Sequence, residues 1–268
     1  MTLILGPRTW LLALAVAGGG SARPAADRVR IPAGPFIQGS IHGEEDERPA
    51  RTSTLPTFSI DRTEVTRGDY ARCQAAGRCR PAPDAPAPGD GRLPMANVTW
   101  ADAQAFCRFA GGRLPTEAEW EKAARGTDGR EYPWGSEPLC DRANWGNFDG
   151  EGPCAGRNPG HPVAVGQYPA GASPYGVLDL GGNVWEWVAD RYDDDASAIV
   201  PEPQPPRRGR RGTAERATGT RSGSRADRRI VRGGSCCSFF VGPRAANRNA
   251  WAPDYRDFDL GFRCAADH

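Results

Sequence analysis

The sequence predicts a single α+β domain with short strands, two main helices and much irregular backbone. Three observations lead there. The chain has 34 glycines and 25 prolines in 268 residues, about twice the average share, so it must turn often. Two central segments, 99–110 and 116–126, show helical periodicity framed by capping residues and glycine. Strand-like alternation comes only in short runs. Aromatic side chains are spread along the whole chain, enough to build a packed core.

The N-terminus reads as a secretory signal over residues 1–22. Arg8 precedes an apolar run from Trp10 to Ala17, and Gly20-Ser21-Ala22 offers a small-x-small cleavage site. The run is too short to span a bilayer, and no cysteine is there to take a lipid. After cleavage no membrane span is expected, and the mature protein belongs outside the cytoplasm, secreted or periplasmic. Disulfides are then permitted, and the eight cysteines form an even set.

Residues 23–29 read as linker and 30–268 as the domain. Residues 31–40 (IPAGPFIQGS) look like a short strand pair around a turn. An acidic loop follows at 44–47. Residues 58–65 alternate as a half-buried strand, and Thr66 can cap a short helix over Asp69 to Gln74. Cys73 and Cys79 lie at its end and suit a local disulfide. A zinc pair would need further ligands close by, and the three histidines are scattered. Residues 81–88 read as a Pro/Ala-rich surface loop.

Thr99 caps the first main helix, with Trp100, Ala103, Phe106, Cys107 and Ala110 on one apolar face. Gly111-Gly112 ends it. Thr116 and Glu119 form a capping box for the second, which carries Trp120, Ala123 and Ala124 and closes at Gly126. Little regular signal follows to residue 174. Cys140 and Cys154 bracket a loop whose closure would contribute about 3 kcal/mol. Residues 163–168 alternate as a strand. Next, Asp179 and Glu186 flank a sharp bend at Gly181-Gly182-Asn183. Oxygen ligands on an irregular loop suit Ca²⁺, although acids beside glycine and asparagine more often mark plain turns.

Residues 193–229 form an Arg/Pro-rich insertion without aromatic residues in its core, expected to be disordered. With no aromatics to stack bases and a net charge of +1, nothing points to nucleic acid. Lys122 is the only lysine, which reads as genome composition.

Several motifs then occur in a fixed order. They are IPAGPF at 31–36, DRTEVT at 61–66, GRLPTEAEWE at 112–121, YPWG at 132–135, GGNVWEW at 181–187, RGGS at 232–235 and LGFRC at 260–264. Together they resemble the formylglycine-generating enzyme, or sulfatase-modifying factor, family. The resemblance implies a modified C-type-lectin-like fold with small antiparallel sheets, two main helices and much ordered coil. It implies a Cys107–Cys264 disulfide. A second family bridge falls on Ala124 and Ala245, so both its ends are lost together. It places a calcium site on the Asp179 and Glu186 side chains and the Gly182 and Val184 carbonyls. A second calcium site, at Asn144 and Trp145, matches in part.

The resemblance also implies oxidation of a peptide cysteine by oxygen and Cu(I), held by two cysteines spaced four residues apart just after Gly-Gly-Ser. Soft thiolates select Cu(I). This chain departs from that pattern: after Ser235 come Cys236, Cys237 and Ser238, and the second spaced cysteine is missing. On an extended strand, adjacent side chains would point to opposite faces, poorly placed for one ion. The two could form a strained vicinal disulfide or pair elsewhere. The family also includes members without the oxidase, periplasmic members that mature a siderophore chromophore, and sulfoxide synthases that need an N-terminal iron-binding domain, for which residues before 30 offer no histidine cluster. Two readings follow. One is an exported oxidase-like enzyme on a peptide or peptide-derived substrate, with Ser235, Cys236, Cys237, Trp185 and Arg244 in its cleft. The other is a non-catalytic, calcium-stabilised binding or assembly module for a protein partner.

Overall fold

A computed structural model describes residues 28–81, 90–192, 227–238 and 243–268. The expected signal, most of the linker, nearly all of the Pro/Ala-rich loop and most of the insertion lie outside these residues. Two expected boundaries move. Arg28 and Val29 belong to strand β1 (Arg28–Ile31), and Arg229 opens strand β6 (Arg229–Arg232). Both ends are held by ladder partners, Arg28 opposite Asp61 and Arg229 opposite Trp251.

The remaining strands are β2 (Gly34–Gln38), β3 (Arg51–Leu55), β4 (Phe58–Asp61), β5 (Trp185–Arg191), β7 (Arg248–Trp251), β8 (Leu260–Phe262) and β9 (Ala265–Asp267). They form three small sheets, ordered β1-β4-β9, β2-β3 and β7-β6-β5-β8. Pairing is antiparallel except between β5 and β8, where Trp185 lies opposite Leu260 and Glu186 opposite Gly261. The expected α+β architecture is present.

Residues 31–40 do not form the expected strand pair. β1 pairs with β4 and β2 with β3. The chain between β1 and β2 is held by Lys122, whose Nζ donates to the carbonyls of Pro32 and Gly34 at 2.7 and 2.9 Å. The buried lysine therefore spends its donors on a bend. Residues 163–168 are not a strand either. The Asn183 side chain takes the place of a partner strand, accepting from Val163 N at 2.9 Å and donating to Val163 O. The alternation at 58–65 is strand only to Asp61.

Three helices carry the local signals read from sequence: α1 (Arg67–Ala75), α2 (Trp100–Phe109) and α3 (Glu117–Arg125). Thr66, Thr99 and Thr116 cap them, each in a reciprocal capping box with the acid three residues on. Such caps contribute about 1 kcal/mol each. α2 turns Ala103, Phe106 and Cys107 into a core shared with Trp187, Val231 and Phe262. α3 buries Trp120, Ala123 and Ala124 against Ile60, Val188 and Ile230. Ala124 and Ala245 sit in this same cluster, as their joint loss of cysteine implied. Trp120 and Trp187 reach no solvent, and each indole N–H has a buried acceptor, Glu186 Oε2 and Val98 O.

The expected disulfides Cys73–Cys79, Cys107–Cys264 and Cys140–Cys154 are all present. β5 and β6 run antiparallel, and Tyr192 N bonds Arg228 O at 2.9 Å, so the insertion leaves and rejoins the fold at one point. β6 then delivers the chain to Gly233 and Gly234, both at positive φ.

Candidate thiol site

Two glycines make the site. At φ 95° and 72°, Gly233 and Gly234 turn the chain off β6. A side chain on Gly233 would meet the Trp120 ring at 3.1 Å. The segment that follows is a turn rather than an extended strand. Ser235 N donates to Ser238 Oγ at 2.9 Å, Ser238 N to Ser235 O, and Cys237 N to Ser235 Oγ at 3.2 Å. The turn is clamped on both sides, because Cys236 N bonds Asn183 O and Asn147 N bonds Cys236 O.

This corrects the expectation that adjacent cysteines diverge. In the turn the two sulfurs lie 3.0 Å apart, unbonded. Cys236 is fully buried, and Cys237 is half-buried with its Sγ 3.2 Å from Gly160 O. The hydrogen bond between the thiols splits their acidities. Pairing with Cys237, together with burial, pushes Cys236 far up. The same pairing lowers Cys237, against burial and the charges of Asp259, Asp149 and Asp257.

Asp259 belongs to this site and was not singled out in the sequence. Burial raises its carboxyl, and a hydrogen bond with Ser235 opposes the rise. Its carbonyl accepts from Trp185 N at 2.7 Å. Trp185 is buried edge-on against Trp251, with ring centroids 5.7 Å apart. Ser235, Cys236 and Cys237 are thus together, with Trp185 tied in through Asp259. Arg244 is engaged elsewhere: its guanidinium grips both oxygens of Glu47, at 2.7 and 3.0 Å. A cavity lined by Glu47, Glu117, Glu121 and Arg248 does not border the thiols. Its glutamates are all paired, Glu117 with Arg248 and Arg232, Glu121 with Arg232, and Glu47 with Arg244.

Behind the thiol turn lies the bend at residues 179–183. Asp179 and Asn183 adopt φ 59° and 63°, and Gly182 φ 138°. A side chain on Gly182 would strike Asn144 O at 2.3 Å. Asp179 Oδ2 accepts from Gly166 N at 2.7 Å. Glu186, expected beside it, is taken up by Arg263 and the Trp120 indole. A residue not anticipated, Glu64, adjoins Asp179. Its Oε1 accepts from Asn183, and its buried Oε2 has no hydrogen-bond donor. Burial raises the carboxyls of both Glu64 and Asp179, and Asp179 raises Glu64 further. A proton shared with Asp179 satisfies this oxygen when Glu64 is protonated, and with both carboxyls ionised the pair fits a hard cation. No three His, Cys, Asp or Glu residues among those described are placed to hold a metal by side chains alone, so a cation there would need backbone carbonyls. At the second expected site, Asn144 Oδ1 is also buried without a partner, but the Trp145 carbonyl accepts from Asn158 Nδ2 at 2.8 Å.

The fold and site define a disulfide-stapled α+β domain that presents a pair of free thiols on a turn beside a buried carboxyl pair. Residues 16–268 match the sulfatase-modifying factor enzyme 1-like domain. The chain is 33% identical to the formylglycine-generating enzyme of Streptomyces coelicolor, covering 95% of this chain and 94% of that one. It is 31% identical to the inactive C-alpha-formylglycine-generating enzyme 2 of Mus musculus, over 96% and 91%. The structure of PvdO from Pseudomonas aeruginosa superposes with a TM-score of 0.68 at 26% identity, covering 90% of this chain and 94% of that one. The chain therefore belongs to the formylglycine-generating enzyme family.

Proposed function

We propose that this chain is an exported family member that works on a peptide or peptide-derived substrate through the Cys237–Cys236 thiols. One observation carries the reading: six of the eight cysteines are paired, and the two left free lie 3.0 Å apart with only Cys237 part-exposed. The apolar N-terminus and the three disulfides support export.

The soft donors suit Cu(I), but their spacing does not. Two sulfurs held about 2.3 Å from one tetrahedral metal stand about 3.8 Å apart, and further apart at wider angles. The pair stands at 3.0 Å, so holding one copper ion would need the sulfurs to part by about 0.8 Å. We also infer a structural Ca²⁺ held by Asp179 and Glu64 with the Gly182 and Val184 carbonyls, supported by the orphan Glu64 oxygen.

A second reading, a non-catalytic binding module, is favoured by Arg244, whose candidate cleft guanidinium is bound to Glu47. Native alkylation and Cu(I) titration of the mature protein separate these readings. The thiol-site reading expects iodoacetamide to label Cys237 and spare Cys236, with no tight stoichiometric copper. Two unreactive cysteines would favour the binding module. Tight one-to-one copper binding, lost in Cys237→Ser, would restore the copper oxidase.

A further inference from the structure

The geometry points to a thiol–disulfide exchange activity at Cys236 and Cys237, with a peptide disulfide and its dithiol as the substrate couple. This deepens the thiol-site reading and rests on it. The turn gives the two sulfurs unequal places. Cys237 is half-buried, and Cys236 is fully buried with its sulfur 3.0 Å away. An accessible attacking thiol backed by a resolving thiol is what exchange requires. Cys237, the part-exposed sulfur, is the more acidic of the two.

The step balances. The Cys237 sulfur attacks one sulfur of R–S–S–R′, that bond breaks, and R′–S⁻ leaves with the electron pair and takes up the Cys237 proton. The Cys236 sulfur then attacks Cys237, displacing R–S⁻, which takes up the Cys236 proton. The substrate gains two electrons and two protons, and the cysteine pair loses them. The sulfurs must close from 3.0 Å to about 2.05 Å, a side-chain movement of about 1 Å. Adjacent Cα atoms stand only about 3.8 Å apart, below the usual disulfide range, so the ring is strained and easily reopened. The other three bridges have ordinary Cα separations of 5.3 to 5.5 Å. The reverse direction, oxidation of a peptide dithiol by the vicinal disulfide, uses the same atoms.

Incubation of the full chain with oxidised glutathione, followed by a non-reducing peptide map, tests this. Wild type is expected to end as the 236–237 disulfide with little retained glutathione. Cys236→Ser should hold glutathione on Cys237, and Cys237→Ser should hold none. Reduced glutathione should return wild type to the dithiol. The activity is ruled out if wild type retains glutathione as stably as Cys236→Ser, or if neither takes it up. Cys237 that alkylates but does not exchange would overturn this inference and leave the thiol site standing.

Discussion

Arg263 donates two hydrogen bonds of 2.7 Å to the Glu186 carboxylate, and neither side chain reaches solvent. The rest of the guanidinium bonds the carbonyls of Asp61, Arg62 and Leu178. One arginine beside the last cystine thus ties β5 to the end of β4 and to the 178–183 bend. Removing one partner leaves the other charge buried and unpaired, which costs about 3–5 kcal/mol. Glu186→Ala also strips the acceptor from the Trp120 indole. Urea denaturation should show that loss, with Glu186→Gln recovering part of it. A loss below about 1 kcal/mol would mean that the pair behaves as a surface bridge does.

The three disulfides should contribute unequally. Cys107–Cys264 spans 157 residues and Cys73–Cys79 only 6. Loop-closure entropy gives about 5 kcal/mol for the first and about 2 kcal/mol for the second. Double alanine variants compared by denaturant midpoint should keep that order. Equal losses would place the effect in native-state contacts instead.

Features written in neighbouring residues were legible in the sequence. Threonine caps marked where the three helices begin, although the first starts at Arg67 rather than at the expected Asp69, and the two short-range cystines followed from spacing. Cys107–Cys264 came only through the family resemblance. Long-range closure was not legible. Glu64 lies 115 residues from Asp179 in the chain yet shares its buried site, and Asp259 reaches Ser235 from a separate loop. The alternation at 163–168 suggested a strand, but its backbone groups bond the Asn183 amide, the Arg92 carbonyl and the Asp179 carboxylate instead of a neighbouring strand. The cysteine pair was misplaced for a local reason. Reading the strand past Arg232 sends adjacent side chains apart, and the two positive-φ glycines stop the strand first.

Calcium removal tests the carboxyl pair. A ligand at a hundred times its dissociation constant adds about 2.7 kcal/mol to stability. EDTA should therefore lower the melting temperature, and added Ca²⁺ should restore it. Asp179→Ala and Glu64→Gln should each erase the calcium-dependent shift. The same melting curve with and without EDTA would count against a bound cation. A shift that survives Glu64→Gln would exclude Glu64 from its ligands.

Asp190 gives a pH dependence with a defined sign. It lies one residue from the end of β5, against the start of α3, where Glu117 N donates to its Oδ2 at 2.7 Å. Burial pushes its pKa up to about 6. The Glu117 hydrogen bond opposes the rise, and the charges of Glu117 and Glu119 add to it. Arg229, facing it from β6, is the nearby cation. Because the folded value lies above the unfolded value of about 3.9, the unfolded chain gives up this proton first as pH rises. Stability from this group therefore falls between about pH 4 and pH 6 and stays low above that. The full shift corresponds to at most about 3 kcal/mol, and partial exposure of the side chain reduces it. Asp190→Asn keeps an acceptor for Glu117 N and removes the charge. Its melting temperature relative to wild type should rise from pH 4 to pH 6 and then level off. Taking the difference between the two proteins cancels the other carboxyls that titrate in the same window. A difference that is constant from pH 4 to pH 7 would show that Asp190 titrates as an ordinary surface acid.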